Sequence, residues 1–143
     1  MENMVLFIRA IEVNDVDSVT SLLGSLSNTI DTDPFKFANF VRTLPSNQHI
    51  LVLEEDNVVF GIGTLFLEKK IIHHFGVVGH IEDVVILPSH QGKGYGKILV
   101  QHLVQLAKQE KCYKCILNCD KENVAFYTKC GFHSKSEQMA IYF

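Results

Sequence analysis

Seven consecutive residues, Gln91-Gly92-Lys93-Gly94-Tyr95-Gly96-Lys97, have the types and spacing of an anion-binding turn. Glycines opening a helix leave several backbone N–H groups without acceptors, all pointing one way at the positive end of the helix dipole. That is a natural seat for a phosphate or pyrophosphate. The spacing excludes two common versions of such a seat. A dinucleotide fingerprint needs G-x-G-x-x-G, and here the last glycine, Gly96, comes one residue early. A P-loop needs four residues between Gly and Gly-Lys, then Ser or Thr. Here only three separate Gly92 from Gly96, and Ile98 follows Lys97, so nothing is placed to hold magnesium. What remains is Gln-x-x-Gly-x-Gly, carried by Gln91, Gly94 and Gly96. The plainer alternative is a glycine turn that only packs a helix on a strand.

Other reactive side chains point less sharply. Cys112-x-x-Cys115 has the spacing of a zinc or redox pair, but no second pair follows at finger spacing. In a strand, residues three apart face opposite sides, so the four cysteines read as small reduced hydrophobes and no metal is expected. His73-His74 reads as a solvated loop pair. Glu82-Asp83 is an acidic pair whose members face opposite sides of a regular strand. They form no simple acid/base couple unless a β-bulge turns both the same way.

The elements that must position these groups follow from periodicity. The run Val84-Val85-Ile86-Leu87, closed by Pro88, reads as the end of a strand from His80 to Leu87. Ile98 to Lys111, with apolar residues at Leu99, Leu103, Leu106 and at Val100, Val104, Ala107, reads as a helix. The glycine turn therefore sits between strand and helix. Upstream, Leu6–Ala10 is a strand, and Asn14-Asp15 is a plausible cap for a helix carrying Val16, Val19, Leu22, Leu23 and Leu26. Asp33-Pro34 starts a second helix, which Pro45 ends. Ile50–Leu53 and Val58–Phe66 flank Glu55-Asp56-Asn57, a hairpin turn, and a polar segment from Glu68 leads to Gly79. Downstream come a strand over Lys114–Cys119, a short helix over Asn123–Lys129 stopped by Gly131, and a closing strand over Lys135–Phe143. The expected order is β-α-α-β-β-β-α-β-α-β, an α/β fold with a mixed central sheet flanked by helices.

The chain of 143 residues is expected to be one domain over 1–143, large enough to bury about two-thirds of its unfolded surface. A formal charge of −3 argues against nucleic acid as a partner, although Lys93 and Lys97 make a local positive patch. The longest apolar stretch, Val58–Leu67, is far short of the roughly 18 residues that suggest a membrane span. Met1-Glu2-Asn3-Met4 lacks the basic start of a signal peptide. A cytoplasmic protein with no membrane partner is the expectation.

The Gln91–Gly96 turn resembles the acetyl-CoA pyrophosphate loop of the GNAT N-acetyltransferases, and the element order is theirs too. Three further blocks sharpen the resemblance: Gly79-His80-Ile81-Glu82-Asp83-Val84-Val85, Cys112-Tyr113-Lys114-Cys115-Ile116-Leu117, and Asn123-Val124-Ala125-Phe126-Tyr127-Thr128-Lys129-Cys130-Gly131-Phe132. Together they are similar to the glucosamine 6-phosphate N-acetyltransferase family of the hexosamine route to UDP-N-acetylglucosamine. The likeness is close over roughly residues 68–132 and looser in the amino-terminal third.

The resemblance implies direct acetyl transfer from acetyl-CoA to the amine of glucosamine 6-phosphate. It implies that Val84, Val85 and Ile86 offer backbone groups to the pantetheine arm, that a backbone N–H near Val84 polarises the thioester carbonyl, and that Gln91, Gly92, Lys93, Gly94, Tyr95, Gly96 and Lys97 hold the pyrophosphate. Asn123 joins this cofactor set, and Tyr127 would serve both there and as proton donor to the departing sulfur. Glu82 and Asp83 would bind the amino sugar or order a water that takes its proton, with Ser27, Asn118 and Tyr142 also on the substrate side. Two positions depart from the family pattern, Asn118 where aspartate is usual and Tyr142 where an arginine meets the sugar phosphate. The loop between Ile72 and His80 also looks long, which leaves Lys69, Lys70, His73 and His74 as phosphate ligands. A homodimer with sites shared between subunits is expected, its carboxyl-terminal strand Glu137–Phe143 crossing to the partner. The competing expectations are a GNAT enzyme for another small amine or peptide amino terminus, and a non-catalytic acyl-CoA sensor.

Overall fold

Apolar and β-branched residues at alternate positions build one five-stranded sheet in the order β1-β2-β3-β4-β5. The computed structural model describes residues 5–143. Met1–Met4, on which the expectation of no signal peptide rests, lie outside the described residues. The strands are β1 (Leu6–Ala10), β2 (Gln48–Glu55), β3 (Val58–Lys69), β4 (Val77–Ile86) and β5 (Cys112–Ile116); the helices are α1 (Val16–Leu23), α2 (Pro34–Arg42), the single turn α3 (Ile72–Phe75), α4 (Tyr95–Gln109) and α5 (Val124–Lys129). The first four strands are antiparallel neighbours. Only β5 runs parallel to its neighbour, β4, because α4 carries the chain back across the sheet.

Local chemistry explains the junctions. Asp56 and Asn57 both take positive φ, 52° and 63°, the conformation whose twist matches the strands of a tight hairpin. Asp33 Oδ1 accepts the Phe35 N–H at 2.9 Å and Pro34 follows, so α2 starts where its cap placed it. Asp15 does not act as the side-chain cap expected for α1. It is 6% exposed, grips the Arg9 guanidinium with both oxygens at 2.9 Å and accepts the Glu12 N–H at 2.8 Å, so its oxygens are committed to the turn before α1 and to Arg9 rather than to the first N–H groups of α1.

Two apolar layers clamp the sheet. Phe60, Leu65 and Ile81 pack against Leu99, Val100, Leu103 and Ala107 of α4, as the helical spacing required. On the other face Val52, Ile62 and Val85 meet Val19 and Leu22 of α1.

Three expectations are corrected. Residues 133–143 form neither helix nor strand, and Met139 and Tyr142 are each 93% exposed. The alternation there is real, but a strand exists only when another strand supplies its hydrogen bonds, and among the described residues none pairs with it. The segment between Ile72 and His80 is no long loop. β3 and β4 run on as a hairpin to Lys69 and Val77, leaving a tip in which His73, His74 and Phe75 all take positive φ. Finally, β5 stops at Ile116 rather than Cys119, because its last partner on β4 is His80 and the two strands then part.

Candidate functional site

The parting of β4 from β5 creates the site. Beyond His80↔Ile116 the edge of β4 from Ile81 to Ile86 has no strand beside it among the described residues. A cavity of about 280 Å³ occupies the gap, bounded by Ile81–Val84 on one side and by Asn118, Cys119, Asn123 and Tyr127 on the other. Within the same stretch β4 bulges toward β3. Ile62 faces Val85 while Thr64 faces Glu82, so two steps on β3 answer three on β4. The extra residue is accommodated by Asp83 at φ 52°, a conformation aspartate tolerates better than most side chains. Regular pleat would send Glu82 and Asp83 to opposite faces. With the bulge, both are exposed and both line the 280 Å³ gap as well as a second cavity of about 470 Å³ beneath α1 and α2. That second cavity is mostly apolar, and among the described residues no lysine, arginine or histidine lines either cavity.

The glycine turn follows directly on β4. Gly92 and Gly94 take φ of 78° and 86°, and a Cβ at either would meet nothing within 4 Å, so the inside of the turn is open. Gly94 caps α4, whose first bond runs from the Ile98 N–H to the Gly94 carbonyl at 3.2 Å. Among the described residues, no backbone N–H from Gly92 to Lys97 donates to a backbone or side-chain acceptor. Six donors at the positive end of a fifteen-residue helix, with exposed Lys93 and Lys97 beside them, fit a pyrophosphate in charge and in space. Gln91 closes the turn rather than facing it: its Nε2 donates to the Ile86 carbonyl at 2.9 Å. Gly96 has a packing role, since a Cβ there would lie 3.1 Å from Phe126 Cζ on α5. The Tyr95 side chain turns away to Glu55, so only its backbone faces the turn.

Tyr127 stands across the gap from β4, held edge-on by Phe126 at 4.9 Å and by Phe132 at 6.1 Å. Burial, with smaller contributions from Cys119 and Cys130, raises its phenol above the ordinary tyrosine value, so it keeps its proton at neutral pH. Asn118 and Asn123 line the same gap. Ser27 lies between Leu26, which lines the gap, and Thr29, which lines the larger cavity; its hydroxyl pairs with Thr29 Oγ1 at 2.7 Å.

The remaining substrate-side candidates are elsewhere in this chain. Lys69 ends β3 and Lys70 follows it at the hairpin tip. Lys70 Nζ lies 3.6 Å from Glu68, which also bonds His80 at 3.0 Å, and His73 stacks on Tyr113 at 4.1 Å. From Val77, opposite Lys69, to Glu82 is five strand residues, or about 16 Å. Tyr142 is on the exposed tail. Cys119, Asp120 and Gln138 also line the gap, and nothing in their spacing signalled it. The first two are carried there by the end of β5 and Gln138 by the path of the tail. Among the described residues, no group of three or more His, Cys, Asp or Glu is placed to hold a metal.

Comparison with known proteins bears on this geometry. The profile of the acetyltransferase (GNAT) family matches residues 18–132. The chain is 39% identical to a probable glucosamine 6-phosphate N-acetyltransferase 2 of Oryza sativa subsp. japonica, over 95% of this chain and 87% of that one. It is 38% identical to a glucosamine 6-phosphate N-acetyltransferase of Candida albicans, over 94% of each. The crystal structure of glucosamine-6-phosphate N-acetyltransferase from Arabidopsis thaliana superposes with a TM-score of 0.91 at 36% identity, covering 97% of this chain and 99% of that one.

Proposed function

The chain belongs to the GNAT acetyltransferase family, and from that premise we propose that it moves the acetyl group of acetyl-CoA directly to the amine of D-glucosamine 6-phosphate, giving N-acetyl-D-glucosamine 6-phosphate for UDP-N-acetylglucosamine biosynthesis. Bound acetyl-CoA supplies an activated acyl group. The free N–H groups of Gly92 to Lys97, with Lys93 and Lys97, hold its pyrophosphate, and the open edge at Val84–Ile86 hydrogen-bonds the pantetheine amides. The N–H of Val84 polarises the thioester carbonyl. Glu82 and Asp83 seat the amino sugar and, through a water, take the ammonium proton, freeing the nitrogen lone pair to form the N–C bond. As the C–S bond breaks, Tyr127 gives its proton to sulfur and regains one from the nitrogen, so the ammonium loses two protons, one to the water held by Glu82 and Asp83 and one, by way of Tyr127, to the thiol.

The observation that carries this reading is the bulge at Asp83, which brings two carboxylates to the same gap as a protonated Tyr127 and an unpaired strand edge. Because among the described residues no cation lines either cavity, we assign the sugar phosphate to groups brought by a second copy in a homodimer, with Lys69, Lys70, His73 and His74 as the cationic set. The family expectation of sites shared between subunits supports this arrangement, and the enzyme is assigned to the cytoplasm. Among the described residues, no helix is long and apolar enough to cross a membrane.

Purified protein mixed with acetyl-CoA should release thiol with glucosamine 6-phosphate and far more slowly with unphosphorylated glucosamine. The mostly apolar lining of the 470 Å³ cavity favours one second reading, a GNAT enzyme for a different amine. Equal rates with the two sugars would decide for it.

A further inference from the structure

The anion-binding turn is a strap between two fixed points, and both points sit on one buried aromatic ring. Phe60 on β3 is 0% exposed. His90, just before the turn, stacks face to face on Phe60 with centroids 4.3 Å apart and planes at 15°. Tyr95, just after it, meets the same ring edge-on at 4.7 Å, and the two flanking rings lie 6.1 Å apart. The backbone repeats the attachment, since the Leu87 N–H donates to the Phe60 carbonyl at 2.7 Å. A side-chain hydrogen bond completes the set: Tyr95 Oη donates to Glu55 Oε2 at 3.0 Å, across 40 residues of sequence, to the end of β2 beside the Asp56-Asn57 turn. That carboxylate holds the phenol proton and raises the Tyr95 pKa above its ordinary value.

We propose that Phe60, His90 and Tyr95 are a clamp, latched by the Tyr95–Glu55 hydrogen bond, that holds the Gln91–Gly94 turn in its pyrophosphate-binding shape before acetyl-CoA arrives. This rests on the acetyl-CoA reading above. The physical reason is conformational entropy. Gly92 and Gly94 give the turn the positive φ it needs, but glycine is also the residue with most freedom to lose on ordering. Anchoring the chain on both sides removes that freedom before binding, which raises affinity with no added contact to the ligand. Tyr95 and Glu55 are thus positioning residues. Neither side chain needs to touch the nucleotide.

Calorimetric titration of CoA into wild type, Tyr95→Phe, Glu55→Met, which keeps the length of the side chain and removes the acceptor, and the double variant tests the latch. Phenylalanine keeps the ring on Phe60 and removes only the hydroxyl. Each single change should weaken CoA binding about three- to tenfold, the range for one net hydrogen bond, and the double should be no worse than either single. In steady-state kinetics the KM for acetyl-CoA should rise to match, with kcat and the KM for the amine unchanged. His90→Ala, which removes the stack, should weaken CoA binding in the same way. Wild-type affinity in both Tyr95→Phe and Glu55→Met overturns the clamp, as does an equal fall in all kinetic parameters, which marks a general loss of structure. If wild type itself does not bind CoA, the acetyltransferase reading falls and takes the clamp with it.

Discussion

The surroundings of Tyr127 hold its phenol proton more firmly than usual. Phe126 and Phe132 shield the ring, burial disfavours the phenolate, and the hydroxyl is left at the gap opposite the open edge of β4. Tyr127→Phe should therefore lower turnover by an amount within the usual range for a general acid, about 10²–10⁴-fold, while CoA binding measured by calorimetry stays close to wild type. Cysteine chemistry divides on the same principle. Burial pushes the Cys115 thiol up to about 11, whereas Cys119 is exposed at the gap. At pH 8 iodoacetamide should modify Cys119 well before Cys115, as peptide mass spectrometry can follow. The sign of the linked stability follows from the raised value. The folded state favours the protonated Cys115 thiol, so its contribution is complete below the ordinary thiol value near 9 and is lost as pH rises toward 11. A Cys115→Ala variant should show a shallower fall in stability across that interval.

The glycines of the turn act at the scale of elements, and they are not equivalent. Gly94 takes a left-handed conformation at the start of α4 and faces open space, so Gly94→Glu adds both backbone strain and a negative side chain at the proposed pyrophosphate seat. CoA affinity should drop at least about tenfold, since a lost charge-assisted contact alone is worth about that much. Gly96 faces Phe126 instead. A methyl there pushes against a ring one residue from Tyr127, so Gly96→Ala should reduce kcat more than it raises the KM for acetyl-CoA. Should the two variants show the same kinetic pattern, α4 would not be transmitting its position to α5.

At the scale of the molecule, the features left without partners lie at the carboxyl end and the sheet edge. Residues 133–143 carry Met139, Ile141, Tyr142 and Phe143 into solvent, and β5 is an edge strand among the described residues. Exposed alternating apolar residues beside an unpaired edge are what a second copy can cover. Light scattering at micromolar concentration should give the mass of a dimer, and a chain ending at Phe132 should give a monomer with lower turnover on glucosamine 6-phosphate. A monomeric full-length protein would remove the shared-site account of phosphate binding.

What could be read from the sequence was whatever depends on neighbours in the chain. The glycine turn was legible because strand, turn and helix adjoin, α4 because its core positions repeat every three or four residues, and the Asp33 cap and Asp56-Asn57 turn because each is local chemistry. The Glu82-Asp83 bulge was legible only as a condition, since a bulge is a register between two strands. Tertiary structure decided the rest. The parting of β4 and β5 that opens the gap depends on where two distant segments stop pairing. The position of Lys69 about 16 Å of strand away from Glu82 follows from a hairpin longer than its residues advertised. The Tyr95–Glu55 contact joins residues 40 apart. The terminal strand failed for the same physical reason. Alternation prepares a segment to pair, but its hydrogen bonds need a second strand, and only the folded assembly determines whether one is there.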